Sequence, residues 1–270
     1  MMHQPFVSII VPTFNSSPTI ECCLASLKFQ TYPDIEIIVV DNFSKDDTVT
    51  ISKKYCSKVF QIKALRSTAR NYGAKNSKGH FYLFVDADME LMPDVVKECV
   101  ERVVKDNIDA VMIPEIRVGE GFWAKCRAVE RRTYICDHLI ESARFFKKEA
   151  FDSAGGFDEK LEAGEDWDLH ARVEDAGYKI GSINSFMKHL EGKVTLRKIV
   201  IKRVYYGRTL MKYIRKQPHR ASIQFAPVRL NFLKQWRILV SEPSYCLGIV
   251  VLRFIEYFAT AISIVAAGIN

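Results

Sequence analysis

Apolar residues fall along the chain in short blocks that alternate between a strand-like and a helical rhythm. Val7 to Val11 (VSIIV) is a compact apolar run stopped by Pro12, and Ile35 to Val40 (IEIIVV) is a second, ending in Asp41. Runs of this length bounded by turn residues predict strands buried on both faces. Between them, residues 19 to 28 place Ile20, Leu24 and Leu27 at helical spacing. Strand, helix and strand in this order predict a βαβ unit with a right-handed crossover and parallel strands. A third unit follows, with a weak strand at Val59 to Ile62, a polar loop from Ala64 to Gly79 and a strong strand from Phe81. Residues 109 to 113 (DAVMI) predict a further strand, 122 to 140 contain a charged helix, Trp167 to Val173 resume helical spacing, and a last strand starts at Lys179. The alternation predicts an α/β fold with a mainly parallel sheet flanked by helices over residues 1 to 191.

Chemistry enters at the end of the strongest strand, FYLFVDADME (81 to 90), where Asp86 and Asp88 stand two residues apart. Carboxylates at the carboxyl end of a buried strand face the crevice where such sheets bind ligands. Hard divalent cations take oxygen ligands, and Mg²⁺ or Mn²⁺ uses one or two carboxylates together with substrate phosphates. The alternative is a polar turn, since Asp-rich turns are common. The preceding loop holds Arg66, Arg70, Lys75 and Lys78 among small residues and an Asn-x-Gly turn. Arg70 offers a planar fork suited to phosphate; alternatively these charges are the solvated face of a short helix. Farther on, Gly155 and Gly156 supply a bend, and Gly164 frees the backbone just before Glu165 and Asp166. Acids in the first turn of a helix cap it, but a glycine-hinged carboxylate pair also has the mobility of a general base that must meet an incoming hydroxyl.

Composition divides the chain in two. Its 270 residues suffice for one core and an appendage. Seven cysteines, with no C-x-x-C and only Cys22 and Cys23 adjacent, argue against a disulfide framework or a zinc site and for a reducing compartment. The amino terminus has no basic n-region, so no signal peptide is expected. The net charge of +7 is unevenly placed: residues 192 to 241 hold thirteen Lys or Arg and no acid, leaving the remainder net acidic. Such a segment expects a polyanionic partner. Residues 194 to 216 set Val200, Val204, Gly207, Met211 and Ile214 in line, surrounded by Lys198, Lys202, Arg208, Lys212 and Arg215. This is the pattern of a basic amphipathic helix at a membrane interface, or of a helix docked on the catalytic domain. Tyr245 to Ile269 is apolar but for Arg253 and Glu256, which at i, i+3 are expected to pair with each other. Two charges near the middle of a span are costly. The expectation is therefore a helix that dips into one leaflet or packs beside the preceding one. The apolar segment argues against nucleic acid as the partner.

The ordered set VSIIVPTFN (7 to 15), IEIIVVDNFSKDDT (35 to 48), ARNYGAKNSKG (69 to 79), FVDADM (84 to 89), GGFDE (155 to 159) and GEDWDL (164 to 169) resembles the inverting nucleotide-sugar glycosyltransferases of family 2, which have the GT-A fold. The resemblance covers residues 6 to 190. It implies that Pro12, Thr13 and Asn15 line the nucleoside pocket and that Asp41 binds the base or ribose edge. It places Arg70 near the donor, Asp86 on the ribose or metal side and Asp88 on a Mn²⁺ or Mg²⁺ that bridges the diphosphate. Asp166 is implied as the base, with Glu165 orienting the acceptor or loop beside it, and His189 as a further group on the metal or diphosphate. A membrane-attached enzyme of this kind resembles those with lipid-linked acceptors such as polyprenyl or dolichyl phosphate. Lys202, Arg203, Arg208 and Lys212 would then meet headgroups and the acceptor's phosphate at the cytoplasmic face. GDP-mannose is slightly favoured over UDP-linked hexoses. A polysaccharide or glycolipid acceptor, or an inactive nucleotide-sugar-binding scaffold, are the alternatives.

Overall fold

The computed structural model describes residues 5–135, 137–226 and 230–268, and within these leaves the side chains of 208, 230 and 265–268 undescribed. The expectation about the first four residues lies outside the described residues. In chain order the elements are β1 (Val7–Thr13), α1 (Ile20–Lys28), β2 (Ile35–Asp41), α2 (Thr48–Tyr55), β3 (Lys58–Gln61), α3 (Arg66–Lys75), β4 (Phe81–Phe84), β5 (Met89–Leu91), α4 (Val95–Lys105), β6 (Ala110–Met112) and β7 (Glu115–Glu120). They continue with α5 (Phe122–Arg132), β8 (Ala143–Lys147), α6 (Lys148–Ser153), α7 (Glu165–Asp175), β9 (Ile180–Ser182), β10 (Met187–Lys193), α8 (Leu196–Lys216), α9 (Pro218–Gln224), α10 (Leu230–Lys234), α11 (Trp236–Ser241) and α12 (Pro243–Gly268). Two compact units result: Met1–Glu115, Ser142–Glu159 and Glu165–His189 form the first, and Ile116–Glu141, Lys160–Gly164 and Leu190–Asn270 the second.

The first unit is built on a seven-stranded sheet of order β3-β2-β1-β4-β8-β6-β9. Its strands run parallel except for β8, which lies antiparallel to both β4 and β6. The apolar runs account for this layer. Ile9, Val11 and Leu83 point to one face, where Leu24 and Leu27 of α1 and Val96 and Val103 of α4 cover them. Ile10, Tyr82 and Phe84 point to the other, against Phe151, Phe157, Leu169 and Val173. The alternation follows from the period of two along a strand. Register then aligns the carboxyl ends: Thr13 pairs with Asp41, Asp41 with Gln61 and Ile10 with Phe84. A smaller sheet of order β5-β10-β7 places Met187 opposite Leu91 and His189 opposite Met89 within this unit.

One stretch departs from expectation. Residues 66 to 75, read as a polar loop with an Asn-x-Gly turn or alternatively as a short helix with a solvated basic face, form helix α3; the turn lies inside it, and Arg70 is on its buried face. The face it buries is Ser67, Ala69, Arg70, Gly73 and Ala74, which keeps helical spacing but contains no large apolar residue. Small residues let the helix lie close against β1. A Cβ on Gly73 would stand 2.4 Å from Cγ2 of Ile10. Gly73→Ala therefore trades a favourable helix propensity against overpacking. We expect a net destabilisation of about 1–3 kcal/mol in urea unfolding.

The second unit is helical. The apolar line of α8 faces α12: Ser263 Oγ donates to the carbonyl of Val204 at 2.6 Å, and a Cβ on Gly207 would stand 2.8 Å from that of Ser263. On the other side α12 meets α5, where a Cβ on Gly248 would lie 2.4 Å from Sγ of Cys126. The expected Arg253–Glu256 pairing does not occur. Arg253 pairs with Glu130 of α5, and Glu256 with Arg203 of α8 at 2.7 Å. Residues three apart point about 60° from each other on a helix, so each charge reaches a different neighbouring helix. The outcome inverts the usual pattern of a surface helix. The buried line of α12 contains Glu256, Ala259 and Ser263 beside Ile249 and Leu252. Its exposed line is Leu247, Val250, Phe254, Phe258 and Ile262, with Phe254 74% exposed. Leu233, Trp236 and Val240 of α10 and α11 are exposed as well.

Candidate active site

The sequence-predicted groups of the first unit fall into three clusters, around Asp41 at the end of β2, around Arg70 and around His189. Asp41 ends β2 fully buried, and its carboxylate is filled by donors from the protein. Oδ1 accepts from Thr13 Oγ1 at 2.9 Å and from Ser44 Oγ at 2.5 Å, and Oδ2 from the Ser44 amide at 2.9 Å and Gln61 Nε2 at 3.3 Å. In this structure Asp41 therefore acts on the pocket by fixing the loop after β2, not by offering a free oxygen. Asn15 laces the loop after β1 to the same segment: its amide donates to Ser44 Oγ and its Oδ1 accepts from the Lys45 amide. Pro12 lies half-buried between them.

Arg70 is the hub. It projects from α3 with no exposed surface, donating through one terminal nitrogen to Asp86 Oδ1 at 2.6 Å and through the other to Asp166 Oδ1 at 2.6 Å. Its guanidinium lies 4.9 Å from the centre of the Phe157 ring. The next residue, Asn71, clamps the same loop, donating to the Phe157 carbonyl and accepting from its amide, both at 2.9 Å. The sharp bend that delivers Phe157 needs positive φ at Gly155 (77°) and Gly156 (68°), which glycine adopts without steric cost. A fully buried guanidinium cannot itself reach a phosphate. Arg70 instead ties the end of β4 to the start of α7.

Glu165 and Asp166 open α7 and differ sharply in setting. Glu165 is buried against Arg66 at 2.5 Å and Arg70 at 3.4 Å, whereas the side chain of Asp166 is 28% exposed. Burial and the charge of Asp166 push the Glu165 pKa up to about 7, against the pull of Arg66 and Arg70. Because the folded value lies above the unfolded one, protonation of Glu165 favours the native state. The stability this confers is complete below about pH 4.5 and is lost as pH rises through about 7. Thermal midpoints across this range should fall less steeply for Glu165→Gln than for the wild type.

Asp86 and Asp88, two residues apart, diverge. Burial would raise the Asp86 pKa, but Arg70, Arg144 and Arg66 outweigh it and hold this carboxyl well below the usual range. Arg144 of β8 donates to Asp86 Oδ2 at 3.2 Å. Asp88 is 42% exposed and lies 3.1 Å from Nε2 of His189, whose Nδ1 is 3.1 Å from Glu115 Oε1. Burial opposes the charged imidazole, but hydrogen bonds to Asp88 and Glu115 outweigh it and raise the His189 pKa to about 9. Among the described residues no three His, Cys, Asp or Glu side chains are arranged to hold a metal ion. Asp86 is engaged by guanidinium groups and does not join Asp88 and His189.

Sequence reasoning missed Arg144 and Glu115. Their only signal is a charge at the start of each of two strands, β8 and β7, that were not foreseen. The acceptor-side candidates belong to the second unit. Lys202 is exposed, Arg203 is paired with Glu256, and Lys212 Nζ donates to the Lys160 carbonyl at 3.4 Å. The side chain of Arg208 lies outside the described residues.

The mixed, mainly parallel sheet has the architecture of the GT-A glycosyltransferases, whose solved structures it resembles. The family model described as "Glycosyl transferase family 2" matches residues 8–157, more than half of the sequence, and the chain belongs to that family. It is 34% identical over 141 residues to the uncharacterized glycosyltransferase EpsJ of Bacillus subtilis, covering 50% of this chain and 38% of that protein. It is 30% identical over 180 residues to an uncharacterized glycosyltransferase of Haemophilus influenzae, covering 60% of each. The chain thus spans less than two thirds of the length of these relatives. Among solved structures, the mannosyltransferase PcManGT of Pyrobaculum calidifontis, in complex with GDP-Man and Mn²⁺, superposes with a TM-score of 0.69 at 18% identity, covering 98% of this chain and 88% of that one. TarS of S. aureus in complex with UDP-GlcNAc gives 0.58 at 21%, covering 97% and 89%. At these identities the likeness shows the fold alone.

Proposed function

We propose that this glycosyltransferase moves a hexose, with inversion, from a nucleotide-sugar to a lipid-linked acceptor at the cytoplasmic face of a membrane. The observation that carries the catalytic part is the Arg70 hub, which joins Asp86 at the strand ends to the partly exposed Asp166. Asp166 is the general base. Its outer oxygen takes the proton of the acceptor hydroxyl as that oxygen attacks the anomeric carbon and the bond to the diphosphate breaks. Transfer in one displacement inverts the centre and needs no covalent intermediate. Glu165 and Arg66 hold the first turn of α7 so that Asp166 meets the acceptor in one orientation. In this reading Arg144 and Arg66, paired with Asp86 and Glu165 and less deeply buried than Arg70, are the cations that meet the leaving diphosphate.

The donor set also fits a divalent metal. Asp88 supplies an exposed carboxylate, and His189, on giving up the ring proton that Asp88 and Glu115 favour, an imidazole nitrogen beside it, with Glu115 fixing the orientation of that ring. These two residues would hold Mn²⁺ or Mg²⁺ together with diphosphate oxygens. Once bound, the ion supplies Lewis-acid neutralisation of the leaving group.

The acceptor and membrane parts rest on α12. The apolar length Pro243–Ile264 is sufficient to cross a bilayer by length and composition. Its charges are committed to α5 and α8, however, while Phe254 and Phe258 face outward. We read it as lying in the interface beside the basic α8, with anionic headgroups near Lys202 and Lys212. A membrane enzyme of this kind meets its acceptor as a lipid. GDP-mannose is the slightly favoured donor, since the structural neighbour PcManGT is in complex with GDP-Man; UDP-linked hexoses are the other class.

The test is transfer from a panel of radiolabelled nucleotide sugars, with Mn²⁺ or EDTA, into organic-extractable lipid of source membranes. Metal-dependent label in the lipid fraction from one donor is expected. Label confined to water-soluble product would sink the lipid acceptor, and undiminished transfer in EDTA would sink the metal.

A further inference from the structure

The carboxylate pair that opens α7 is delivered by residues 160–164, and α8 holds that segment; segment and helix belong to the second unit. Glycine leaves its own backbone free, so Gly164, at a φ of 79°, could by itself let the chain enter α7 at many angles. Tyr213 pins it. A Cβ on Gly164 would stand 2.7 Å from Cγ of that residue and 3.0 and 3.1 Å from its Cδ2 and Cδ1, so the backbone rests directly on the ring. Tyr213 has no exposed surface, and its hydroxyl donates to Gln224 Oε1 of α9 at 2.6 Å. Gln224 in turn donates from Nε2 to the Leu139 carbonyl at 2.7 Å. A second tyrosine of the same helix, Tyr205, donates to Glu162 Oε2 at 2.8 Å, and Leu161 and Ala163 of the segment are buried.

The glycine hinge, expected from the sequence to be mobile, is therefore held. Arg66 and Arg70 engage the carboxylates of Glu165 and Asp166, whereas Tyr213 acts on the backbone one residue before them. Asp166 follows the hinge by two residues. With its carboxylate on the order of 6 Å from the turning point, a rotation of about 10° there moves it by about 1 Å, a misplacement that can cost about a hundredfold in rate.

We propose that Tyr213 and Tyr205 are positioning residues for sugar transfer, holding the hinge at Gly164 so that Asp166 meets the acceptor hydroxyl. This role rests on the reading of Asp166 as the base. It makes turnover depend on α8, a helix remote in sequence from the catalytic motifs, and it predicts a loss of kcat with donor KM unchanged.

The experiment compares the full chain carrying Tyr213→Leu, Tyr213→Phe, Tyr205→Phe or Leu252→Ala, the last a cavity in the core where α12 meets α5. Hydrogen exchange is followed by mass spectrometry at the amides of Leu169 and His170, which in an α-helix bond the carbonyls of Glu165 and Asp166. Transfer is measured in Mn²⁺, well below each thermal midpoint, from the panel of radiolabelled nucleotide sugars described above. Tyr213→Leu should quicken exchange about tenfold and lower kcat about ten- to a hundredfold, with donor KM unchanged. Tyr213→Phe keeps the ring and should stay within about threefold of the wild type in both. Tyr205→Phe, at an exposed position, should repeat the pattern of Tyr213→Leu at roughly threefold, the order of one lost hydrogen bond. Leu252→Ala should lower the midpoint and leave exchange at these amides and kcat as they are. Wild-type exchange in both Tyr213→Leu and Tyr205→Phe would overturn the positioning role, as would quickened exchange with an unchanged kcat or a fall in kcat matched by Leu252→Ala. If Tyr213→Leu does not fold, Tyr205→Phe decides on the same readings. Transfer by Asp166→Asn at the wild-type rate would instead sink the base reading, whatever the exchange shows.

Discussion

Asp166→Asn should lower sugar transfer by about 10²–10⁴-fold while nucleotide binding and thermal midpoint stay close to wild type. The substitution keeps the size of the side chain and an oxygen for Arg70, whose nitrogen lies 2.6 Å from Asp166 Oδ1. It removes only the capacity to accept the acceptor's proton. Glu165 cannot take over, because it is 2% exposed and engaged by Arg66 and Arg70. The kinetic signature is therefore a fall in kcat with donor KM unchanged. A D166N enzyme within about tenfold of the wild-type rate would remove Asp166 from the chemistry. An equally large fall in Glu165→Gln, with Asp166 intact and the fold unperturbed, would move the role to its neighbour.

Arg70→Met should act on the whole site at once. The guanidinium is fully buried and is the shared partner of Asp86, Asp166 and Glu165. Removing one partner of a buried ion pair leaves uncompensated charge, with a cost of about 3–5 kcal/mol. For a chain of this size that corresponds to a drop in thermal midpoint of roughly 6–20 °C. Arg70→Lys should recover little, since a single ammonium cannot span Asp86 and Asp166 as two arms of a planar fork do. If Arg70→Met unfolded in urea within about 1 kcal/mol of wild type, the hub would be a set of incidental contacts. The raised pKa of Glu165 gives a cross-check. With Arg70 gone its carboxyl loses one of two opposing cations, and the pH at which stability declines should move upward.

Much of the first unit could be read along the chain because its signals are local. An apolar run that ends in Asp41 or in Asp86 and Asp88 announces a strand and the crevice at its end, whatever lies elsewhere. The motifs around Gly155, Gly164, Glu165 and Asp166 were likewise visible; the family match over residues 8–157 takes in the first of them and ends before the others. Helix α3 was legible only as an alternative to a loop, because its buried face is made of Ser67, Ala69, Gly73 and Ala74, which carry helical spacing without hydrophobic contrast. Strand β8 escaped because ARFFK is short and enters the sheet antiparallel between β4 and β6, a pairing with no local signature. Arg144 and Glu115 were lost with their strands.

The sequence by itself determined the element types of the parallel half of the sheet, the family resemblance and the residue types that carry the chemistry, since each depends on neighbours within a few residues. Tertiary structure decided their partnerships. It placed Arg70 beneath Asp86 and Asp166 rather than at the surface, turned Asp88 toward His189, and filled the Asp41 carboxylate with four donors. It also sent Arg253 and Glu256 to different helices, so that α12 buries its charges and exposes its phenylalanines. These outcomes lay beyond local reading because a charge is stabilised by whichever opposite charge or donor the fold brings within hydrogen-bond reach. In this chain those groups are separated by as many as 123 residues, the span from Glu130 to Arg253.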